Sequence, residues 1–103
     1  MDRIEKLMAF LEDSPTDSFL QHALALEYIK TGEDSRARTL FEEILQREPD
    51  YIGSYYHLAK LLERLGETES AIAWYEKGME AARLKGDNHA LGELRGAWEE
   101  LTF

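Results

Sequence analysis

The stretch KTGED, at residues 30–34, has a counterpart in RLGET, at residues 64–68. The two glycines, Gly32 and Gly66, lie 34 positions apart, and each is followed by a glutamate. Because glycine adopts a left-handed backbone at low cost, it commonly ends a helix. A turn that recurs at a fixed distance indicates a repeated structural unit if its flanking residues recur as well.

The residues around these turns do recur at the same distance. Within residues 1–85, eight positions are identical to the position 34 residues later, and seven of these eight begin between residues 15 and 42. The identical pairs are Leu11/Leu45, Pro15/Pro49, Leu24/Leu58, Ala25/Ala59, Gly32/Gly66, Glu33/Glu67, Ala37/Ala71 and Glu42/Glu76. We therefore interpret the period as a true internal repeat.

Each repeat has the pattern of two helices joined by the glycine turn. In the first helix, Leu20, Leu24 and Tyr28 are spaced by four residues and form one apolar face. The predicted inward face of the second helix consists of Ala37, Phe41, Ile44 and Leu45. Small residues at paired positions of both helices allow a close antiparallel crossing.

The predicted ends of these helices follow from side-chain chemistry. Pro49 ends the second helix, because proline cannot donate to the helical hydrogen-bond ladder and restricts the residue before it. We expect Asp34 and Thr68 to cap the second helix of each repeat by accepting hydrogen bonds from its first free N–H groups.

The order of these residues resembles the tetratricopeptide repeat (TPR), whose unit has the same length of 34 residues. The matching positions are Leu24, Ala25, Tyr28, Gly32, Ala37, Phe41 and Pro49. The sequence departs from the family pattern at Gln21, Leu62 and Arg83, and the last departure predicts that the second repeat's final helix continues to about Leu84. The resemblance implies an all-α solenoid of antiparallel helix pairs, with about six helices and a right-handed superhelical arrangement.

We expect one TPR-like domain over residues 1–103, because terminal helices are needed to cover the open faces of so short an array. The predicted parts are a capping helix at 2–13, repeats at 18–51 and 52–85, and a second capping helix at 87–102. Core packing is predicted for the large side chains Met8, Tyr28, Trp74, Tyr75 and Trp98. Asp87 is expected to cap the last helix.

A second apolar stripe follows the first helix of repeat 1, rotated from its core face. It comprises Phe19, His22, Leu26 and Ile29, and the equivalent line of repeat 2 is polar to basic. The resemblance implies that these residues line a groove that holds a peptide or helical segment of another protein. The predicted groove residues are Phe19, His22, Leu26, Ile29, Lys30, Tyr56, His57, Lys60 and Arg64. We expect a partner with apolar anchors and acidic neighbours.

Two functions in different classes remain open at this point. The first is an adaptor or scaffold that binds a partner in the groove, and the second is a homo-oligomeric structural subunit. Self-assembly would use the same apolar stripe or the terminal helix that ends in LTF, residues 101–103. Some family members grip a partner's terminal carboxylate with Lys, Arg and Asn, but the matching positions here hold His22, Leu26 and His57. Binding of that kind is not predicted.

Other functional classes are disfavoured by composition. A net charge of −9 opposes binding to nucleic acid or to an anionic membrane, which requires clustered Lys and Arg. The sequence contains no cysteine, no glycine-rich phosphate loop and no nucleophile motif, so neither an enzyme nor a cofactor is predicted. The three histidines are too widely spaced for a metal-site signature. Without an apolar leader or a membrane span, we expect a cytoplasmic protein.

Overall fold

The computed structural model describes residues 2–103, which form six α-helices and no strand. The helices are α1 (Arg3–Asp13), α2 (Ser18–Lys30), α3 (Asp34–Arg47), α4 (Gly53–Arg64), α5 (Thr68–Lys85) and α6 (Asn88–Thr102). Two compact units divide the chain, one ending at Glu48 with α1–α3 and the other, Pro49–Phe103, with α4–α6. None of the helices in the described range combines the length and the apolar character needed to cross a membrane. The prediction of an all-α fold with six helices is confirmed.

The glycine turns end α2 and α4 as predicted. Gly32 and Gly66 have φ angles of 79° and 81°, in the left-handed region. The N–H of Glu33 donates to the Tyr28 carbonyl at 2.8 Å, and that of Gly32 donates to the Ile29 carbonyl at 3.2 Å. This pair of bonds is the Schellman motif, which satisfies carbonyls that the end of a helix leaves free.

The predicted caps of α3 and α5 are wrong. Asp34 and Thr68 are the first helical residues, and the N-cap positions belong to Glu33 and Glu67, whose side chains make no capping hydrogen bond. The reason is that the Schellman turn leads directly into the next helix, which places its start one residue earlier than the sequence pattern suggested. Asp87, by contrast, caps α6 as predicted, because its carboxylate accepts from the Ala90 N–H at 3.0 Å.

In the first unit, α2 packs against both α1 and α3. Its buried apolar side chains are Leu7, Leu24, Ala25, Tyr28, Ala37, Phe41, Ile44 and Leu45, which include every residue predicted on the inward face of α3. Met8, predicted as core, is 48% exposed. Leu7 occupies the buried position of α1, and the next residue is rotated by about 100° around a helix, so Met8 faces outward.

In the second unit, α5 packs against both α4 and α6, and Gly78 lies at the closest approach. A β-carbon at Gly78 would lie 2.7 Å from the Tyr55 Cβ and 3.1 Å from the Leu94 Cδ1. Tyr75 is fully buried, whereas Trp74 and Trp98 are partly buried. The helix continues to Lys85, in agreement with the extension predicted from Arg83.

Candidate functional site

The predicted groove residues of the first unit all lie on α2. Phe19 is 71% exposed, more than any other large apolar side chain of that unit's described residues. His22, Leu26 and Ile29 are partly buried. Helical spacing places these four on one side of α2, separate from the buried core side, so α2 presents an apolar surface that the core does not use. We call these four residues the α2 stripe.

Charged groups border the α2 stripe at one end. The Lys30 Nζ lies 3.1 Å from a carboxylate oxygen of Glu27, and the Arg3 Nε lies 3.4 Å from the same oxygen. The imidazole of His22 contacts the edge of the Phe41 ring, with 5.5 Å between ring centroids. The stripe is therefore apolar along its length, and the cation of Lys30 is shared with an acid.

The predicted groove residues of the second unit lie on α4 and form a connected polar cluster. The Tyr56 ring centroid lies 5.7 Å from that of His57 and 6.4 Å from that of Tyr75. The Lys60 Nζ lies 5.7 Å from the Tyr56 ring centroid and 3.7 Å from the Glu63 carboxylate. Because Glu63 balances Lys60, the α4 surface carries less net positive charge than its lysine and arginine suggest. Arg64 is exposed.

Burial shifts the protonation of two groups in this α4 cluster. Partial burial lowers the pKa of His57, although the nearby carboxylate of Glu93 acts in the opposite direction. Burial, together with a hydrogen bond to Glu63, raises the pKa of Tyr75. The neutral form of His57 is thus favoured, and the Tyr75 phenol stays protonated and donates to Glu63.

The histidines are distributed over both units, with His22 on α2, His57 on α4 and His89 on α6. The Nε2 of His89 lies 3.4 Å from a Glu93 carboxylate oxygen. Within residues 2–103, no group of three or more His, Cys, Asp or Glu side chains is arranged to hold a metal ion.

Two features of the structure were not recognised from the sequence. In the first unit, the Arg47 Nη2 donates to the Ser18 Oγ at 2.7 Å and to the Gln21 Oε1 at 2.6 Å. This network explains why Gln21 is tolerated where the repeat pattern has an aromatic residue. In the second unit, a cavity adjoins Tyr55 and α5. The signal for both was present at lag 34, where Gln21 pairs with Tyr55 and Arg47 with Ala81.

Comparison with known proteins places this geometry in one family. Residues 28–91 match the tetratricopeptide repeat family. The pre-mRNA-splicing factor CLF1 of Eremothecium gossypii is 33% identical over 82 residues, which are 79% of this chain. The chain spans only 12% of the length of that relative.

Solved structures give the same answer. A tetratricopeptide repeat domain protein from Salinibacter ruber is 47% identical and has a TM-score of 0.81, with 84% of this chain and 88% of that chain covered. The TPR2B domain of yeast Sti1, solved in complex with pHsp70, has a TM-score of 0.88 at 12% identity, with 96% and 79% covered, and shows the fold alone. The family match extends over more than half of the sequence, and the fold is an all-α, TPR-like solenoid. The chain belongs to the tetratricopeptide repeat family of protein–protein interaction modules.

Proposed function

We propose that the chain is an adaptor that binds a peptide or helical segment of another protein through α2 and α4. The observation that carries the proposal is Phe19, an aromatic side chain that is 71% exposed beside Leu26 and Ile29. A continuous apolar strip on a small domain is typical of an interaction surface. The yeast Sti1 domain, which has the same fold, is described with a protein ligand, pHsp70.

In this proposal the two helices have different roles. The α2 stripe receives one or two large apolar side chains, because a few well-packed anchors carry most of the binding energy at an interface. Tyr56, Lys60 and Arg64 contact polar groups of the same partner and favour acidic neighbours of the anchors. Since the net charge of −9 repels acidic partners at long range, this preference acts at short range and is sensitive to salt. The protein acts by binding alone, as a cytoplasmic scaffold without catalysis or cofactor.

Selection from a random-peptide library tests the proposal and does not require the partner to be identified first. The affinity of a selected peptide is measured by fluorescence anisotropy for the wild type, for Phe19→Glu and for Phe103→Glu. Both substitutions place a carboxylate on a highly exposed phenylalanine, so neither is expected to disturb the fold. We expect Phe19→Glu to weaken binding by about tenfold or more, which corresponds to at least 1.4 kcal/mol. Equal affinities for the wild type and Phe19→Glu would contradict the proposal.

A homo-oligomeric structural role is the second candidate. It is favoured by Phe103, which is 93% exposed and lies with its ring centroid 6.0 Å from that of Trp98. Burial of this aromatic pair, or of Phe19, against another copy would remove apolar surface from water. Sedimentation velocity over a range of concentrations separates the two functions. A dimer that persists at low concentration and dissociates in Phe103→Ser or Phe19→Ser supports self-assembly, whereas a monomer at all concentrations contradicts it.

A further inference from the structure

The second unit contains a cavity of about 530 Å³ between α5 and the segment that leads into α4. Its walls include Pro49, Tyr55, Lys77, Ala81, Leu84 and Lys85. None of the predicted groove residues lines it. Its volume lies within the range of roughly 300–1,000 Å³ that is typical of small-molecule sites.

The first repeat has a counterpart of this cavity at positions 34 residues earlier. That concavity measures about 300 Å³ and is lined by Pro15, Gln21 and Arg47, which correspond to Pro49, Tyr55 and Ala81. In the first repeat the guanidinium of Arg47 extends towards α2 and donates at 2.6 Å to the Gln21 side chain. An arginine side chain therefore occupies much of the available space.

The second repeat lacks this arginine, and its side chains leave the space open. Ala81 has no side chain beyond Cβ, and the Tyr55 hydroxyl donates to the Pro49 carbonyl at 2.5 Å, which leaves the tyrosine ring as an apolar wall. The additional turn of α5 adds Leu84, which is 82% exposed. Two changes between the repeats and one helix extension thus convert a polar contact into an apolar pocket.

The charges at the rim of the pocket are not fully balanced. Lys85 lies 3.9 Å from the Asp50 carboxylate, and the Glu80 carboxylate accepts from Arg83 at 3.3 Å. The Lys77 ammonium lies over the Trp74 ring, 4.4 Å from its centroid, and has no carboxylate partner among residues 2–103. A cation beside an apolar pocket, in a chain of charge −9, provides a local site for an anionic group.

We propose that this pocket binds a small amphipathic anion. Its aliphatic or aromatic body contacts Tyr55, Ala81 and Leu84, and its carboxylate lies beside Lys77. This ligand site is separate from the surface proposed to bind a partner protein, so each can be tested without the other.

Fluorescence titration with a dansylated fatty acid, and with its uncharged primary amide, tests the proposal. We expect the acid to bind the wild type and Ala81→Arg to weaken that binding by at least about tenfold, because the arginine restores the arrangement of the first repeat. Ala73→Arg is the matched control, since it adds the same charge at an exposed position of the same helix. Lys77→Gln should weaken binding of the acid by roughly fivefold and leave binding of the amide unchanged.

Two further measurements complete the test. Leu84→Lys repeats the test of Ala81→Arg at a side chain that is 82% exposed, in case Ala81→Arg perturbs the fold. Competition with lauric acid and with a short peptide that ends in a phenylalanine carboxylate identifies the source of the anion, and displacement of the probe by at least one is expected. The proposal is overturned if the acid fails to bind, if both pocket variants bind it like the wild type, if acid and amide bind the wild type equally, or if neither competitor displaces it.

Discussion

Replacement of Gly78 by alanine should destabilise the second unit, although alanine is the better helix former. The added methyl group would lie 2.7 Å from the Tyr55 Cβ and 3.1 Å from the Leu94 Cδ1. Carbon atoms in contact normally lie about 3.5–4.0 Å apart, so roughly 1 Å of movement is needed. The Tyr55 Cβ is bonded directly to the backbone of α4 and cannot move without that helix.

The expected size of the effect follows from two opposing terms. Alanine favours a helix over glycine by about 1 kcal/mol, whereas overpacking typically costs about 1–3 kcal/mol. Because the clash involves two neighbouring helices, we place the cost at the upper end and expect a net loss of about 1–2 kcal/mol in the free energy of unfolding. For a domain of this size, 1 kcal/mol corresponds to a Tm change of roughly 4–8 °C.

Urea denaturation followed by circular dichroism measures this change, with Gly92→Ala and Gly96→Ala as matched controls. Both control glycines lie in α6, and a β-carbon there would meet nothing within 4 Å. The controls should therefore gain up to about 1 kcal/mol each. If Gly78→Ala stabilised the protein as the controls do, the close packing of α5 between α4 and α6 would be refuted.

Three further predictions concern the core, the polar network and pH. Ala71→Leu, at a fully buried position, should lower the free energy of unfolding by about 1–3 kcal/mol, whereas Ala73→Leu, at an exposed position of the same helix, should change it little. Arg47→Ala should cost about 1–3 kcal/mol in urea denaturation because it leaves buried polar groups unpaired, and Arg36→Ala, which removes only a surface ion pair, should cost less than about 1 kcal/mol. The lowered pKa of His57 means that the unfolded state binds its proton more readily, so stability should fall as pH decreases below about 6.5, with a smaller slope in His57→Gln.

The features that the sequence predicted correctly depend on local patterns. The left-handed turns at Gly32 and Gly66 follow from the backbone preference of glycine, and the buried face of α3 follows from the period of a helix. The cap at Asp87 was equally predictable, since an aspartate directly after a glycine turn and before an apolar helix is a common start signal. None of these features depends on how separate helices pack.

The features that the sequence did not reveal depend on distances between helices. Gly78 occupies the position of Ile44 in the preceding repeat, and only the approach of Tyr55 and Leu94 explains its lack of a side chain. The cavity beside Ala81 likewise results from a side chain that is absent, which a pattern of apolar residues does not register. The positions of the α2 stripe on its helix could be predicted, but the balance of Lys60 by Glu63 required the structure.

The central claim is that the protein binds a partner segment through α2 and α4, and NMR chemical-shift mapping tests it most directly. Uniformly ¹⁵N-labelled protein is titrated with a peptide selected from the random library, and the amide shifts are followed residue by residue. The account predicts that the largest shifts occur at Phe19, Leu26 and Ile29 on α2 and at Tyr56 and Lys60 on α4. Shifts that are confined to α1, α3, α5 and α6, with α2 and α4 unchanged, would contradict it.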